Sequence, residues 1–290
     1  MLTRLAPAKV NLFLHVGAPA DDGYHPISSL MVFADIGDDV SLEWGEGPAL
    51  HINGPYADVL NVESDNLILR ARDRLVEGRV IDGRPYHLML NKQLPIASGV
   101  GGGSADAAAT LRLLRDALPV ELGDEALYEL ASNLGSDVPA CLAARPVIAA
   151  GRGEKLRPAP ALPDLAAVLV NPNLPSPTGA VYRAYDRAAL VDGEREPDWP
   201  EVLGTVEAVA GFLATCRNDL QPPAAALQPA IEDVLAELNA CDEVVFARMS
   251  GSGATCFALC GSSVDAVRLA NRLGEARPDW WVRSCTLRGS

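Results

Sequence analysis

The stretch Pro95-Ile96-Ala97-Ser98-Gly99-Val100-Gly101-Gly102-Gly103-Ser104-Ala105-Asp106-Ala107-Ala108-Ala109 constrains this chain more than any other. Four glycines in the five positions from 99 to 103 free the backbone for positive φ and for close approach to a ligand. Ser104 then reads as the N-cap of a helix over about Ala105 to Leu118 that stops at Pro119, with Ala107, Leu111, Leu114 and Leu118 facing inward. A helix start of this kind offers unpaired N–H groups and a positive dipole end, so the expected guest is a phosphate. A valine at Gly102 is expected to obstruct that guest. Neither familiar glycine signature fits. A Walker loop needs Lys after its last glycine, where this chain has Ser104 and Ala105; a dinucleotide fingerprint from Gly99 wants Gly or Ala at position 104. On the loop alone, a plain surface turn before an ordinary helix stays open.

A chain of 290 residues is long enough for two domains with real cores. Its formal charge of −14 speaks against a nucleic-acid or anionic-membrane surface, so an anionic substrate needs locally placed cations. Only Lys9, Lys92 and Lys155 among the 24 basic residues are lysines; Arg is the default cation, and each Lys is a departure from habit. Six cysteines without a secretory segment or a C-x-x-C, and four scattered histidines, point to a reducing, cytoplasmic setting and to no zinc site. The cysteines are expected as small core side chains. No apolar run approaches the roughly 18 residues of a membrane span.

Ala8 to Val16 alternates, with Val10, Leu12, Leu14 and Val16 on the core face and Lys9, Asn11, Phe13 and His15 opposite. Lys9 and Asn11 suit either a solvated strand face or a site at the strand's start. A turn at Asp21 to Pro26 carries Tyr24 and His25, a flat stacking surface beside a hydrogen-bond donor. Strands over Ser29 to Ile36 and Val40 to Trp44 flank an expected turn at Asp38-Asp39. A helix capped by Asp65 and closed at Gly78 turns Leu67, Ala71 and Leu75 inward. Tyr86 to Lys92 is a strand whose last residue reaches toward a phosphate or merely decorates a strand end. A helix over Asp124 to Leu134, closed by Gly135, precedes Ser136-Asp137-Val138-Pro139, where Asp137 has the look of an ordinary N-cap.

Three prolines from Pro158 to Pro163 mark a boundary, giving expected domains 1–157 and 158–290. Beyond it the order is strand (Ala166 to Val170), helical region (Gly179 to Ala240, interrupted at Val191 to Pro200 and near Gln221 to Pro223), strands (Val244 to Met249, Thr255 to Leu259), helix (Val264 to Leu273) and strand (Trp280 to Leu287). That is the β-α-β-β-α-β succession of a ferredoxin-like split βαβ unit. A second glycine loop, Ser250-Gly251-Ser252-Gly253-Ala254, joins its middle strands.

Pro7-Ala8-Lys9-Val10-Asn11-Leu12, the Gly99 to Ala105 loop and Ser250 to Ala254 together resemble the three motifs of the GHMP small-molecule kinases. Asp22-Gly23-Tyr24-His25, Asp65-Asn66-Leu67 and Asp137-Val138-Pro139 narrow the resemblance to members acting on a cytidine diphosphate-linked alcohol in isoprenoid precursor synthesis. It spans nearly the whole chain. The resemblance implies an α+β fold of two domains: an N-terminal mixed sheet with helices, ribosomal-protein-S5-domain-2-like, and the C-terminal ferredoxin-like unit. It implies ATP as donor with Mg²⁺ carried by the nucleotide; no carboxylate in the sequence is named as a metal ligand, and the Ser104 hydroxyl stays open. By the same resemblance the phosphates lie on Gly99, Gly101, Gly102, Gly103 and Ser104, and the adenine side on Asn66, Leu67, Lys92 and Ser98. Asp137 is implied as the base for the substrate hydroxyl and Lys9 as the cation beside it. Asn11, Tyr24, His25, Thr178, Tyr182, Gly251 and Ser252 are implied on the substrate side, with Tyr24 and Tyr182 sandwiching the cytosine. The chain departs from the family pattern at Val100, Ser136 and Tyr182, where Leu, Ala and Phe are usual; either aromatic stacks. No nucleic-acid or membrane partner is expected, and the chain is expected as a monomer or homodimer. Homoserine or mevalonate kinase activity, and a nucleotide-binding module without catalysis, are the alternatives; the Tyr24-His25 turn speaks against the first and the pair Lys9 and Asp137 against the second.

Overall fold

In a computed structural model, which describes residues 1–60, 66–77, 84–118, 121–188 and 193–290, strand β1 (Leu2–Val16) pairs with β2 (Ile27–Trp44). From Ala6 onward β1 is buried on both faces, so Lys9, Asn11, Phe13 and His15 are as enclosed as Val10 and Leu12. The expected single core face is therefore corrected: packing covers the polar side as well. β2 is one continuous strand with no turn at Asp38-Asp39. Asp38 is wholly buried and its Oδ1 accepts the N–H groups of Gln93 and Leu94 at 2.6 and 2.8 Å, so a residue that reads locally as a turn former is satisfied by a distant segment.

The chain divides into two units. One comprises Met1–Ala8, Ile36–Ile96 and Gly101–Ala144. Its sheet has the order β3-β4-β2, with β3 (Leu50–Asn53) parallel to β4 (Tyr86–Asn91) and β4 antiparallel to β2 from Asp39↔Asn91 to Trp44↔Tyr86. Helices α1 (Leu67–Val76), α2 (Gly102–Ala117), α3 (Asp124–Leu134) and α4 (Val138–Ala143) pack on one another, α2 against both α1 and α4. Every residue from Ala105 to Leu111 in α2 is buried, which an alanine-rich helix permits because small side chains let neighbours approach from all sides. The α1 cap is Asn66, whose side chain accepts the Ile68 N–H at 2.9 Å, and Ile68 rather than Leu67 joins Ala71 and Leu75 in the core. The cap expected at Asp65 and the helix ends expected at Gly78 and Pro119 lie outside the described residues.

The other unit comprises Lys9–Asp35, Ala97–Val100 and Arg145–Ser290. Strand β5 (Val147–Gly151) pairs with β2 and with β6 (Lys155–Pro158), all antiparallel. After β7 (Leu165–Asn171) come α5 (Thr178–Ala188), α6 (Val206–Ala214), α7 (Gln221–Leu227) and α8 (Ala230–Asn239). Gln221 to Pro223, expected as an interruption, instead opens α7, where a proline at the first turn loses nothing because that N–H has no helical partner. The chain then runs through β8 (Val244–Met249), β9 (Cys256–Cys260), α9 (Ser263–Ala276) and β10 (Trp281–Arg288). The sheet order β10-β7-β9-β8, antiparallel throughout, is the fourth-first-third-second arrangement of a ferredoxin-like unit, as its succession of elements predicts. All six cysteines are free thiols, four of them buried.

Candidate active site

In the unit that holds β7 to β10, residues more than two hundred positions apart in sequence meet through backbone and hydroxyl groups. The Lys9 N–H donates to Val100 O at 2.9 Å, the Thr255 N–H to Ser98 O at 3.0 Å, and the Ser176 N–H to Ala97 O at 3.1 Å. Ser250 Oγ accepts the Asn11 N–H at 3.0 Å and donates to Gly99 O at 3.1 Å. Gly99 has φ +78°, and a Cβ there would sit 2.4 Å from Ser250 O and 2.8 Å from the Gly253 nitrogen. Only glycine allows that backbone-to-backbone approach, which gives the second glycine loop a structural partner in the first. Lys9, 4 % exposed, donates from Nζ to Asn11 Oδ1 at 2.7 Å. Asn11 Nδ2 donates to Ser29 Oγ at 2.7 Å, and Ser29 Oγ to Phe13 O at 2.6 Å, so the amide is oriented with its oxygen toward the ammonium. Three stretches picked out from the sequence are thus brought together around Lys9. Ser250, from the second glycine loop, ties two of them together, and Ser29, which orients the Asn11 amide, carries no sequence signal of its own.

In the other unit α2 begins at Gly102, with Gly101 as its N-cap at φ 64° and no side chain capping the first turn. Ser104 lies inside the helix, so its expected capping role is corrected; the loop reaches helical geometry three residues earlier because glycine enters the left-handed region without strain. The uncapped first turn keeps its N–H groups for a ligand. Beneath it Lys92, 3 % exposed, donates from Nζ to Asp38 Oδ2 at 2.5 Å and to Asp106 Oδ2 at 2.8 Å. Lys92 therefore neither reaches toward a phosphate with its ammonium nor decorates a strand end. One buried cation cannot neutralise two buried carboxylates. Desolvation pushes the Asp106 carboxyl up to about 7 despite the neighbouring ammonium, and its Oδ1 has no hydrogen-bond partner. For Lys92, burial pulls downward but the charges of Asp106 and Asp38 outweigh it, so its pKa is raised. Neither carboxylate was singled out from the sequence. For Asp106, the signal was a lone acid inside a run of alanines.

A Cβ on Gly102 would meet Lys92 Nζ at 3.0 Å and Asp38 Oδ2 at 3.6 Å, so it points into this cluster and not toward a ligand. The expected effect of Gly102→Val is accordingly corrected from obstruction to instability: displacing the ammonium from buried carboxylates costs about 3 kcal/mol. Gly103→Ala, whose Cβ meets nothing nearer than Leu67 Cδ1 at 3.6 Å, should be far milder. Urea unfolding of both variants checks this; a Gly102→Val protein as stable as Gly103→Ala would contradict it. Asn66 and Leu67 lie at the start of α1, with Leu67 beside Gly103. Asp137, half-buried, precedes α4 with αR geometry, and its side chain makes no capping hydrogen bond. The capping reading is corrected: Pro139 at the start of α4 already removes one N–H that a cap would serve.

In the unit that holds β7 to β10, His25 is buried, its Nδ1 2.9 Å from Gly17 O and its Nε2 3.2 Å from Asp186 Oδ1. Its ring lies 5.1 Å from that of Tyr182 and 5.7 Å from that of Tyr185. Tyr24 is 57 % exposed. Thr178 and Ser252 share a hydroxyl hydrogen bond of 2.9 Å, Gly251 has φ 57°, and Ser176 Oγ donates to Ser252 O at 2.7 Å.

Comparison with known proteins gives concordant matches. A family model described as GHMP kinases N terminal domain matches residues 66–145, and one described as GHMP kinases C terminal matches residues 206–279. A protein of Caulobacter vibrioides (strain NA1000 / CB15N) named 4-diphosphocytidyl-2-C-methyl-D-erythritol kinase is 56 % identical over 290 residues, covering 99 % of each chain. A solved structure of 4-(cytidine 5'-diphospho)-2C-methyl-D-erythritol kinase superposes with a TM-score of 0.77 at 34 % identity, covering 100 % of both chains. Homoserine kinase from Cytophaga hutchinsonii, at 17 % identity and a TM-score of 0.66 over 100 % of this chain and 95 % of its own, shares the fold.

Proposed function

The chain belongs to the GHMP kinases, and from that premise we propose that it transfers the γ-phosphoryl group of ATP to the 2-hydroxyl of 4-diphosphocytidyl-2-C-methyl-D-erythritol, a step of the non-mevalonate route to isoprenoid precursors. The observation that carries the choice of substrate is the pairing of an exposed Tyr24 with a buried His25 whose ring neighbours Tyr182. A nucleobase uses a stacking surface beside a polar ring edge; homoserine and mevalonate have no use for one. The two family matches, 66–145 and 206–279, support an N-terminal kinase domain, 1–157, and a C-terminal one, 158–290, along the sequence, although the compact units assign Lys9–Asp35, Ala97–Val100 and the residues from Arg145 on to one body.

Phosphoryl transfer passes through a loose transition state, so the work of the protein is positioning and electrostatic stabilisation. In this reading the N–H groups of Gly102, Gly103 and Ser104 at the uncapped start of α2 hold phosphate oxygens, and Gly99 and Gly101 shape the approach. Asn66, Leu67, Lys92 and Ser98 form the adenine side. For Lys92 the ammonium is already committed to Asp38 and Asp106, so its contribution is to brace the first turn of α2. Asp137, at the residue before α4, orients the alcohol and accepts its proton late, because a carboxylate is a weak base for an alcohol. Lys9, oriented by Asn11, supplies a compact positive charge to the oxygens that gain charge. In this reading Mg²⁺ would be carried by the phosphates of ATP and would neutralise their charge, with the Ser104 hydroxyl in the first turn of α2 as the protein group that would lie near it. Thr178, Gly251 and Ser252 line the alcohol side. No helix among the described residues is long and apolar enough to cross a membrane.

The test is ATP consumption by the purified protein with a panel of alcohols: the cytidylated methylerythritol, methylerythritol itself, homoserine and mevalonate. Turnover confined to the first supports the assignment; comparable turnover of homoserine or mevalonate would sink it. Tyr24→Ala should raise KM for the cytidylated substrate about 5- to 150-fold, the equivalent of roughly 1–3 kcal/mol of base stacking, with KM for ATP unchanged. Equal shifts in both constants would instead indicate lost folding.

A further inference from the structure

The exposed ring of Tyr24 is not left to itself. The guanidinium of Arg152 lies over it, 4.4 Å from the ring centroid. Arg152 is ion-paired to Asp22 Oδ2, and the other oxygen of the same carboxylate, Oδ1, accepts the Tyr24 N–H at 2.9 Å. Three residues therefore close a ring: Asp22 holds the Tyr24 backbone and Arg152, and Arg152 holds the Tyr24 side chain. The N–H of Tyr24 keeps the Asp22 carboxyl below the usual carboxylate range, with help from the charge of Arg152, so the clamp is ionised at neutral pH. The placement follows from sheet register. Gly151 pairs with Ile27 at the end of β5, so Arg152 leaves the strand three residues from Tyr24. The turn that launches it is tight: Gly151 has φ +68°, and the Arg152 N–H donates to Glu154 Oε2 at 2.7 Å.

We propose that Arg152 is a positioning residue for the nucleobase: together with Asp22 it fixes the plane of Tyr24, covers one face of the ring and leaves the opposite face for cytosine. The proposal rests on the reading of Tyr24 as the stacking partner of the base. Folding has no need of the arrangement, since the ring is more than half exposed and the ion pair is solvated. A ligand does need it, because an aromatic held in place before binding loses less freedom when the base arrives.

The experiment is a double-mutant cycle on the full-length enzyme with Tyr24→Ala, Arg152→Ala and the pair, measuring KM and kcat for the cytidylated alcohol and KM for ATP. Arg152→Ala should raise KM for the alcohol about two- to fivefold, the worth of an exposed cation–π contact, without moving kcat, KM for ATP or the thermal melt. Arg152→Lys should recover part of the loss, and Asp22→Asn, which still accepts the Tyr24 N–H, should shift KM in the same direction by less. In the Tyr24→Ala background, Arg152→Ala should change nothing further, because both act through one ring. Additive effects would overturn the proposal and make Arg152 a direct cation for the diphosphate. A KM raised by Tyr24→Ala but untouched by Arg152→Ala overturns the proposal alone. A KM untouched by Tyr24→Ala overturns the stacking reading and the proposal with it.

Discussion

Asp137→Asn should lower kcat by about 10²–10⁴-fold, the usual contribution of a positioned general base, while KM for ATP and the melting temperature stay close to those of the parent. The amide keeps the size and hydrogen-bonding reach of the carboxylate but accepts no proton. The melting temperature is expected to hold because Asn is isosteric with Asp and keeps its hydrogen-bonding reach at the residue before α4. A well-folded variant with parental turnover would remove Asp137 from the chemistry and leave no other assigned base. The prediction separates two readings that local sequence leaves equivalent, since Asp two residues before Pro is as ordinary at a helix start as it is useful in an active site.

Lys9→Arg should be nearly as damaging, although it keeps the charge. Lys9 is buried, and its ammonium sits 2.7 Å from an Asn11 oxygen that is itself oriented through Ser29. A guanidinium is planar and broader, so it must displace Asn11 or project past it. Misplacement by about 1 Å costs on the order of 10²-fold in turnover. Crowding of the buried site adds a stability loss of about 1–3 kcal/mol. Lys9→Met separates the two effects, because it keeps the linear shape and removes the charge: it should fold well and still lose turnover. Steady-state kinetics with thermal melts on both variants decides it, and near-native turnover in the folded Arg variant would take Lys9 out of the catalytic centre.

The order of elements in the C-terminal half, the helix over Asp124 to Leu134 and the strand from Tyr86, expected to Lys92 and found to Asn91, were legible in the sequence because each depends on neighbours a few residues away: alternation, a 3.6-residue period, a closing glycine. The motifs around Lys9, Gly99 and Ser250 were legible as three separate stretches. Only the tertiary structure brought them into one hydrogen-bonded group, since the bond from the Asn11 N–H to Ser250 Oγ joins residues 239 positions apart. Asp38 shows the same limit from the other direction. Its local signal says turn, and it lies buried inside a strand because Gln93, Leu94 and Lys92, some 55 residues on, satisfy both carboxylate oxygens. Which way a missing Cβ at Gly102 would point was equally out of reach, as it depends on what lies under the helix and not on the glycine. Sequence by itself determined which elements form and which residue types the chemistry has at hand, because secondary-structure preference is local. Tertiary structure decided which polar groups are buried, paired or left for a substrate, because burial and pairing are set by partners that the order of residues does not name.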